Sequence, residues 1–63
     1  MISKEELGKK IINYLAMKDI KVEDLSKELG CSTQSIYRWM NGKPMSKIYY
    51  LKLFLLLNEC NLV

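Results

Sequence analysis

Four stretches of the chain space their apolar residues three or four positions apart, which is the pattern of amphipathic helices. They are predicted to run from about Lys4 to Met17, Val22 to Leu29, Thr33 to Met40 and Lys47 to Leu57. No stretch alternates apolar and polar residues strongly enough to predict a strand. The pattern therefore predicts an all-α fold, a compact four-helix domain that occupies residues 1–63 as a single unit.

The residues between these stretches carry the usual signals for helix ends. Ser3 begins a capping box, and Ser32 and Ser46 are suited to the N-cap position. Gly30 follows the second helix, where a left-handed residue ends a helix at little steric cost. Because only a short turn then separates the second helix from the third, residues 22–43 are predicted to form a helix-turn-helix.

The third predicted helix has two different faces. Its apolar side is expected to be buried and consists of Ile36, Trp39 and Met40. The opposite side is polar and carries Thr33, Gln34, Tyr37, Arg38 and Asn41. Such a helix can anchor one side in a small core and present the other to the major groove of DNA.

The fourth predicted helix is apolar at nine of its ten positions from Ile48 to Leu57. One apolar stripe is enough for a helix on the surface of a monomer, and Ile48, Leu51 and Leu55 are expected to form it. The surplus favours a homodimer interface, although a closing helix with some apolar residues left on the surface is the alternative. The residues assigned to the interface are Tyr50, Leu53, Phe54, Leu56 and Leu57.

Charge is distributed unevenly along the chain. The formal net charge is +3, and no acidic residue occurs from Leu29 to Asn58, a stretch that contains Arg38, Lys43, Lys47 and Lys52. A one-sided positive field suits a polyanion. Four cations in thirty residues are not a dense patch, so charge alone favours a nucleic acid only slightly.

Composition argues against several other classes of protein. Two cysteines and no histidine are too few for a disulfide scaffold or a structural metal site, and Cys31 is expected to be a small apolar residue of the turn. No nucleophile–base pair or phosphate loop indicates an enzyme, and no cofactor or small-molecule ligand is expected. The longest apolar run, interrupted by Lys52, is too short for a bilayer, and no secretory signal is visible. A cytoplasmic protein without a membrane partner is therefore expected.

Residues 22–43 resemble the helix-turn-helix of the phage repressor/Cro-type (XRE-like) DNA-binding family. The matching positions are Leu25, Ser26, Leu29, Gly30, Cys31, Ser32, Ile36, Trp39, Asn41 and Gly42. Two positions depart from the family pattern: Ser26 stands where Ala is usual, and Val22 stands where a phosphate-binding Gln is frequent. The resemblance implies a lambda-repressor-like fold and double-stranded DNA as the partner.

The same resemblance implies roles for single residues of the third helix. Contacts to the bases are expected from Thr33, Gln34, Arg38 and Ser35. Contacts to the phosphates are expected from Ser32, Tyr37, Asn41 and Lys43.

The function implied is that of a sequence-specific transcriptional regulator, a Cro-like repressor of a phage or mobile element. A homodimer would occupy a palindromic operator and block the polymerase. The alternative is a protein-interaction module, such as an antirepressor or an antitoxin-like subunit, that captures a partner with the fourth helix. The dependence of binding on salt distinguishes the two, because only phosphate contacts make it steep.

Overall fold

The structure is a computed structural model that describes residues 2–63. The described residues form four α-helices and no strand: α1 (Lys4–Lys18), α2 (Val22–Leu29), α3 (Thr33–Met40) and α4 (Lys47–Glu59). The all-α prediction is confirmed. The ends of α2 and α3 are those predicted from the sequence, whereas α1 and α4 continue slightly beyond their predicted ends.

Side chains at the helix starts satisfy backbone groups that the helices leave unpaired. Ser3 and Ser32 each accept a hydrogen bond from the backbone N–H three residues on, at 3.1 and 3.2 Å. At the start of α2, the Asp24 carboxylate accepts one from the Lys21 N–H at 3.1 Å. Ser46 occupies the N-cap of α4, but its hydroxyl forms no cap hydrogen bond within the described part of the chain.

The turn between α2 and α3 has the predicted glycine stop. Gly30 has a φ of 75°, in the left-handed region, and its N–H and that of Cys31 both donate to the Ser26 carbonyl. The Ser26 side chain is buried, and its hydroxyl donates to the Glu23 carbonyl at 2.7 Å. Serine can therefore occupy this buried position because its hydroxyl is satisfied within its own helix.

One apolar cluster joins all four helices. Its buried members are Leu7, Ile11 and Tyr14 of α1, Leu25 and Leu29 of α2, Ile36 and Trp39 of α3, and Leu53 and Leu57 of α4. The buried side predicted for α3 is confirmed at Ile36 and Trp39, although Met40 is only half-buried. No helix in residues 2–63 is long and apolar enough to cross a membrane.

The face of α4 that enters the core was predicted wrongly. Ile48, Leu51 and Leu55 are 68%, 52% and 63% exposed, whereas Leu53 and Leu57 are fully buried. Two positions along a helix turn the side chain by about 200°, so Leu53 and Leu55 point in nearly opposite directions. An almost uniformly apolar helix has no polar side to fix its rotation, and here the rotation depends on how α4 packs against α1 and α2.

This rotation changes the expected homodimer interface. Leu53 and Leu57 cannot belong to it, because both lie in the core of one chain. Tyr50, Phe54 and Leu56, the other three assigned residues, are half-buried at the edges of the exposed side. The large apolar residues that α4 leaves exposed are instead the three that were assigned to the core.

Gly8 allows α1 and α3 to pack closely. It is buried, and a Cβ at this position would lie 2.7 Å from the Met40 carbonyl oxygen and 2.8 Å from that of Trp39. Both neighbours are backbone atoms, so neither can rotate away. A residue without a side chain is therefore needed where α1 supports the end of α3.

We expect Gly8→Ala to destabilise the fold by up to about 2 kcal/mol, because an overpacking cost of about 1–3 kcal/mol outweighs the gain of nearly 1 kcal/mol in helix propensity. Urea unfolding followed by circular dichroism measures the difference. Ala16→Gly, an exposed position on the same helix, is the control and is expected to lose only the propensity term, about 1 kcal/mol. A Gly8→Ala variant more stable than the wild type would show that α1 and α3 are not in this contact.

Candidate nucleic-acid interface

The exposed side of α3 has the geometry predicted from the sequence. Gln34 and Arg38 are exposed and lie one turn apart on the same side of the helix, whereas Ile36 and Trp39 are buried on the other side. Since the apolar side is fixed in the core, the two polar side chains have a defined direction. Their exposure is confirmed, and their contact with bases stays a prediction.

The first turn of α3 carries hydroxyl groups that bond to one another. The Ser32 and Ser35 hydroxyl oxygens are 3.0 Å apart, and either can be the donor. Only one hydroxyl hydrogen is used in that bond, so the pair keeps one hydrogen for an acceptor outside the protein. Thr33 and Ser35 are half-buried, whereas Ser32 and Gln34 are exposed.

The other end of α3 carries the remaining residues assigned to phosphates. Asn41 donates from its side-chain nitrogen to the Tyr37 carbonyl at 2.8 Å, which leaves its second amide hydrogen free. The Lys43 N–H donates to the Arg38 carbonyl at 3.0 Å, so the backbone of Lys43 is held against the helix end. The side chains of Tyr37, Asn41 and Lys43 are exposed.

Lys4 was not among the residues predicted for the site, but the structure places it near Lys43. Both line a shallow cavity of about 230 Å³, together with Met45 and Tyr50. Lys47 lines the adjoining cavity, which shares Met45 and Tyr50. Lys4 and Lys43 therefore come together from two separate segments of the chain, and only the tertiary fold brings Lys4 to this cavity.

Tyr49 connects α4 to the helix-turn-helix. Its ring packs against that of Trp39, with centroids 5.5 Å apart, and its hydroxyl donates to the Gly30 carbonyl at 3.2 Å. The Lys52 ammonium lies 5.7 Å from the centroid of the same ring. Tyr49 was not among the residues predicted for the site, because in a run of apolar side chains nothing marks the one that reaches the turn.

Cys31 behaves as the small apolar residue that was expected. It is half-buried against the core cluster. Burial raises the pKa of its thiol above the ordinary value, and the nearby Lys52 ammonium acts weakly in the opposite direction. The thiol is therefore protonated at neutral pH, the unreactive form. Within residues 2–63, no group of three or more His, Cys, Asp or Glu side chains could hold a metal ion.

Comparison with protein families identifies the segment that contains this surface. The family of the Cro/C1-type HTH DNA-binding domain matches residues 10–50, which include all of α2, the turn and all of α3. Comparison with curated proteins and with solved structures gave no significant match. The matched segment is more than half of the chain, and the helix-turn-helix within it has the packing described above. The chain belongs to the Cro/C1-type helix-turn-helix DNA-binding domain family.

Proposed function

We propose that the protein is a sequence-specific transcriptional regulator, a repressor that binds double-stranded DNA as a homodimer on a palindromic operator. One observation carries the proposal: Gln34 and Arg38 are exposed one turn apart on a helix whose opposite side is buried in the core. A side chain that reads a base must be held in position, and the buried side of α3 holds these two.

The chemistry of the exposed side chains suits base edges in the major groove. The Gln34 amide can bond to both N6 and N7 of adenine, and the Arg38 guanidinium to both O6 and N7 of guanine. The Thr33 methyl group can contact the methyl group of thymine, and Ser35 lies beside it as a further base neighbour. Gln34 and Arg38 therefore supply most of the discrimination between sequences.

Groups at the two ends of α3 suit the phosphates on either side of the groove. The hydroxyl pair at Ser32 lies at one end, and Tyr37, Asn41 and Lys43 lie toward the other, where Lys4 adds a further cation. Contacts of this kind fix the position of the protein on the duplex and carry no sequence information directly.

Two copies would place two recognition helices in successive major grooves, which are about 34 Å apart. A palindromic site then reflects the two-fold symmetry of the protein. A dimer bound at such an operator would repress by occluding the polymerase.

A protein-interaction module is the second candidate, favoured by the exposed apolar residues Ile48, Leu51 and Leu55. The two candidates differ in the salt dependence of binding. Affinity for DNA falls steeply with salt because counterions are released from the phosphates, and an apolar protein contact lacks this dependence.

We expect Gln34→Ala and Arg38→Ala each to weaken binding to the selected site by about 1–3 kcal/mol and to relax the base preference at one position. Lys43→Ala should weaken all sequences alike and reduce the salt slope by about 1. Selection from random DNA with the purified protein provides the site, and titrations at several salt concentrations measure both effects.

Arg38→Lys is the matched control for charge. Lysine keeps the positive charge and loses the planar pair of donors, so this variant should lose preference for guanine and retain the salt slope. Full affinity of the two alanine variants for the selected site would show that α3 does not read the bases. No preference for any sequence in the selection would contradict the proposed function itself.

A further inference from the structure

Tyr49 of α4 touches both helices of the helix-turn-helix. α4 packs against α1 and α2, and the ring of Tyr49 reaches α3, where its centroid lies 5.5 Å from that of Trp39. Its hydroxyl donates to the Gly30 carbonyl at 3.2 Å. One side chain therefore joins the residue that ends α2 to a buried residue of α3.

These two points of contact lie on either side of the residues proposed to read bases. Gly30 lies four residues before Gln34, and Trp39 directly follows Arg38. α3 has only eight residues, so a contact just before its start and another near its end constrain the whole helix. Tyr49 makes both.

The hydrogen bond of Tyr49 differs from those that α3 forms itself. The side-chain hydrogen bonds of α3 and its caps join residues three or four positions apart, so they move with the helix and leave its direction undetermined. The Tyr49 bond joins positions 30 and 49. Apolar packing is not directional, whereas a hydrogen bond is, so this bond defines where the α2–α3 turn lies relative to α4.

The ring of Tyr49 is itself restrained. Trp39 packs against it at an interplanar angle of 40°, and the Lys52 ammonium lies 5.7 Å from its centroid, within the range of a cation–π contact. These contacts limit the rotation of the ring and so keep its hydroxyl directed at the turn.

We propose that Tyr49 is a positioning residue for base recognition: its hydroxyl fixes the turn before Gln34, and its ring fixes the end of α3 near Arg38. Hydrogen bonds to a base edge require a narrow geometry, whereas contacts to phosphates tolerate small shifts. Gly30 is exposed, so water can replace the hydroxyl there at little cost in stability. Loss of the hydroxyl should therefore reduce discrimination between sequences more than it reduces stability. The inference rests on the proposed function.

Tyr49→Phe tests the hydroxyl, because it keeps the ring. We expect its affinity for the selected site to fall about three- to tenfold, with affinity for unrelated DNA within about twofold of the wild type. The preference should weaken most at the base pair that the Gln34→Ala variant identifies. Tyr49→Leu also removes the ring and should extend the loss to the base pair identified by Arg38→Ala. Titrations with the selected site, its single-base variants and unrelated DNA measure this, at a temperature where circular dichroism shows each variant fully folded.

Tyr14→Phe is the matched control. It also removes one hydroxyl, from a buried tyrosine of α1, and should keep the discrimination of the wild type whatever stability it loses. If stability alone mattered, each variant would instead lose discrimination in proportion to its loss in free energy of unfolding, measured with urea. A Tyr49→Phe protein that distinguishes the selected site as sharply as the wild type overturns this inference and leaves the proposed function intact. A wild type that selects no site overturns the proposed function and this inference with it.

Discussion

Replacement of Leu53 by alanine is expected to lower the free energy of unfolding by about 2–5 kcal/mol, whereas Leu55→Ala should change it by less than about 0.5 kcal/mol. Leu53 is fully buried in the cluster shared by all four helices, and Leu55 is 63% exposed. The first change removes contacts and leaves a cavity, and the second removes a side chain that already faces water. Both residues are leucines on the same helix, so helix propensity cancels in the comparison.

Urea unfolding followed by the helical circular dichroism signal measures both variants. The protein concentration must be low enough that only monomer is present, because a dimer would add its own stability. Equal losses for the two variants would show that the rotation of α4 is not the one described. A larger loss for Leu55→Ala would restore the prediction made from the sequence.

The contrast between α3 and α4 shows what the sequence can determine about rotation. In α3, polar residues fill one side, so the position of Arg38 predicts that Trp39 is buried. In α4, Lys52 is the only polar residue between Ile48 and Leu57, and one lysine is compatible with several rotations because its long stem can lie along apolar surface. The helix itself was predictable, but the side that enters the core was not.

Some residues of the candidate site were predictable from the sequence, and others depend on tertiary packing. The exposure of Gln34 and Arg38 follows from the period of one helix and was predicted from it. The contributions of Tyr49 and Lys4 depend on how distant segments pack, and no local pattern marks either residue. The need for glycine at position 8 was likewise not predictable from the sequence. It follows from backbone atoms of another helix that pack against Gly8, and only the structure shows these.

Trp39→Ala is expected to cost about 3–5 kcal/mol of stability, a large part of the roughly 3–9 kcal/mol that a domain of 63 residues has at about 0.05–0.15 kcal/mol per residue. Trp39 is buried, and its ring packs against Tyr49, which in turn bonds to the turn at Gly30. Loss of the indole therefore removes the ring contact between Trp39 and Tyr49 and leaves a large cavity. The variant should populate the unfolded state far more than the wild type does, and its unfolded fraction should bind no DNA sequence.

Tyr37→Ala is the matched control, because Tyr37 is an aromatic residue of the same helix on its exposed side. Its carbonyl accepts the bond from Asn41 and is unaffected by loss of the ring, so the stability should fall by less than about 1 kcal/mol. If Tyr37 contacts a phosphate, affinity should fall for all sequences alike. Circular dichroism reports folding in both variants, and the fluorescence of the single tryptophan reports it only in Tyr37→Ala.

A folded Trp39→Ala protein that still selects a DNA site would show that α3 is held in place without its tryptophan, and the case for a fixed reading surface would then depend on Ile36 alone.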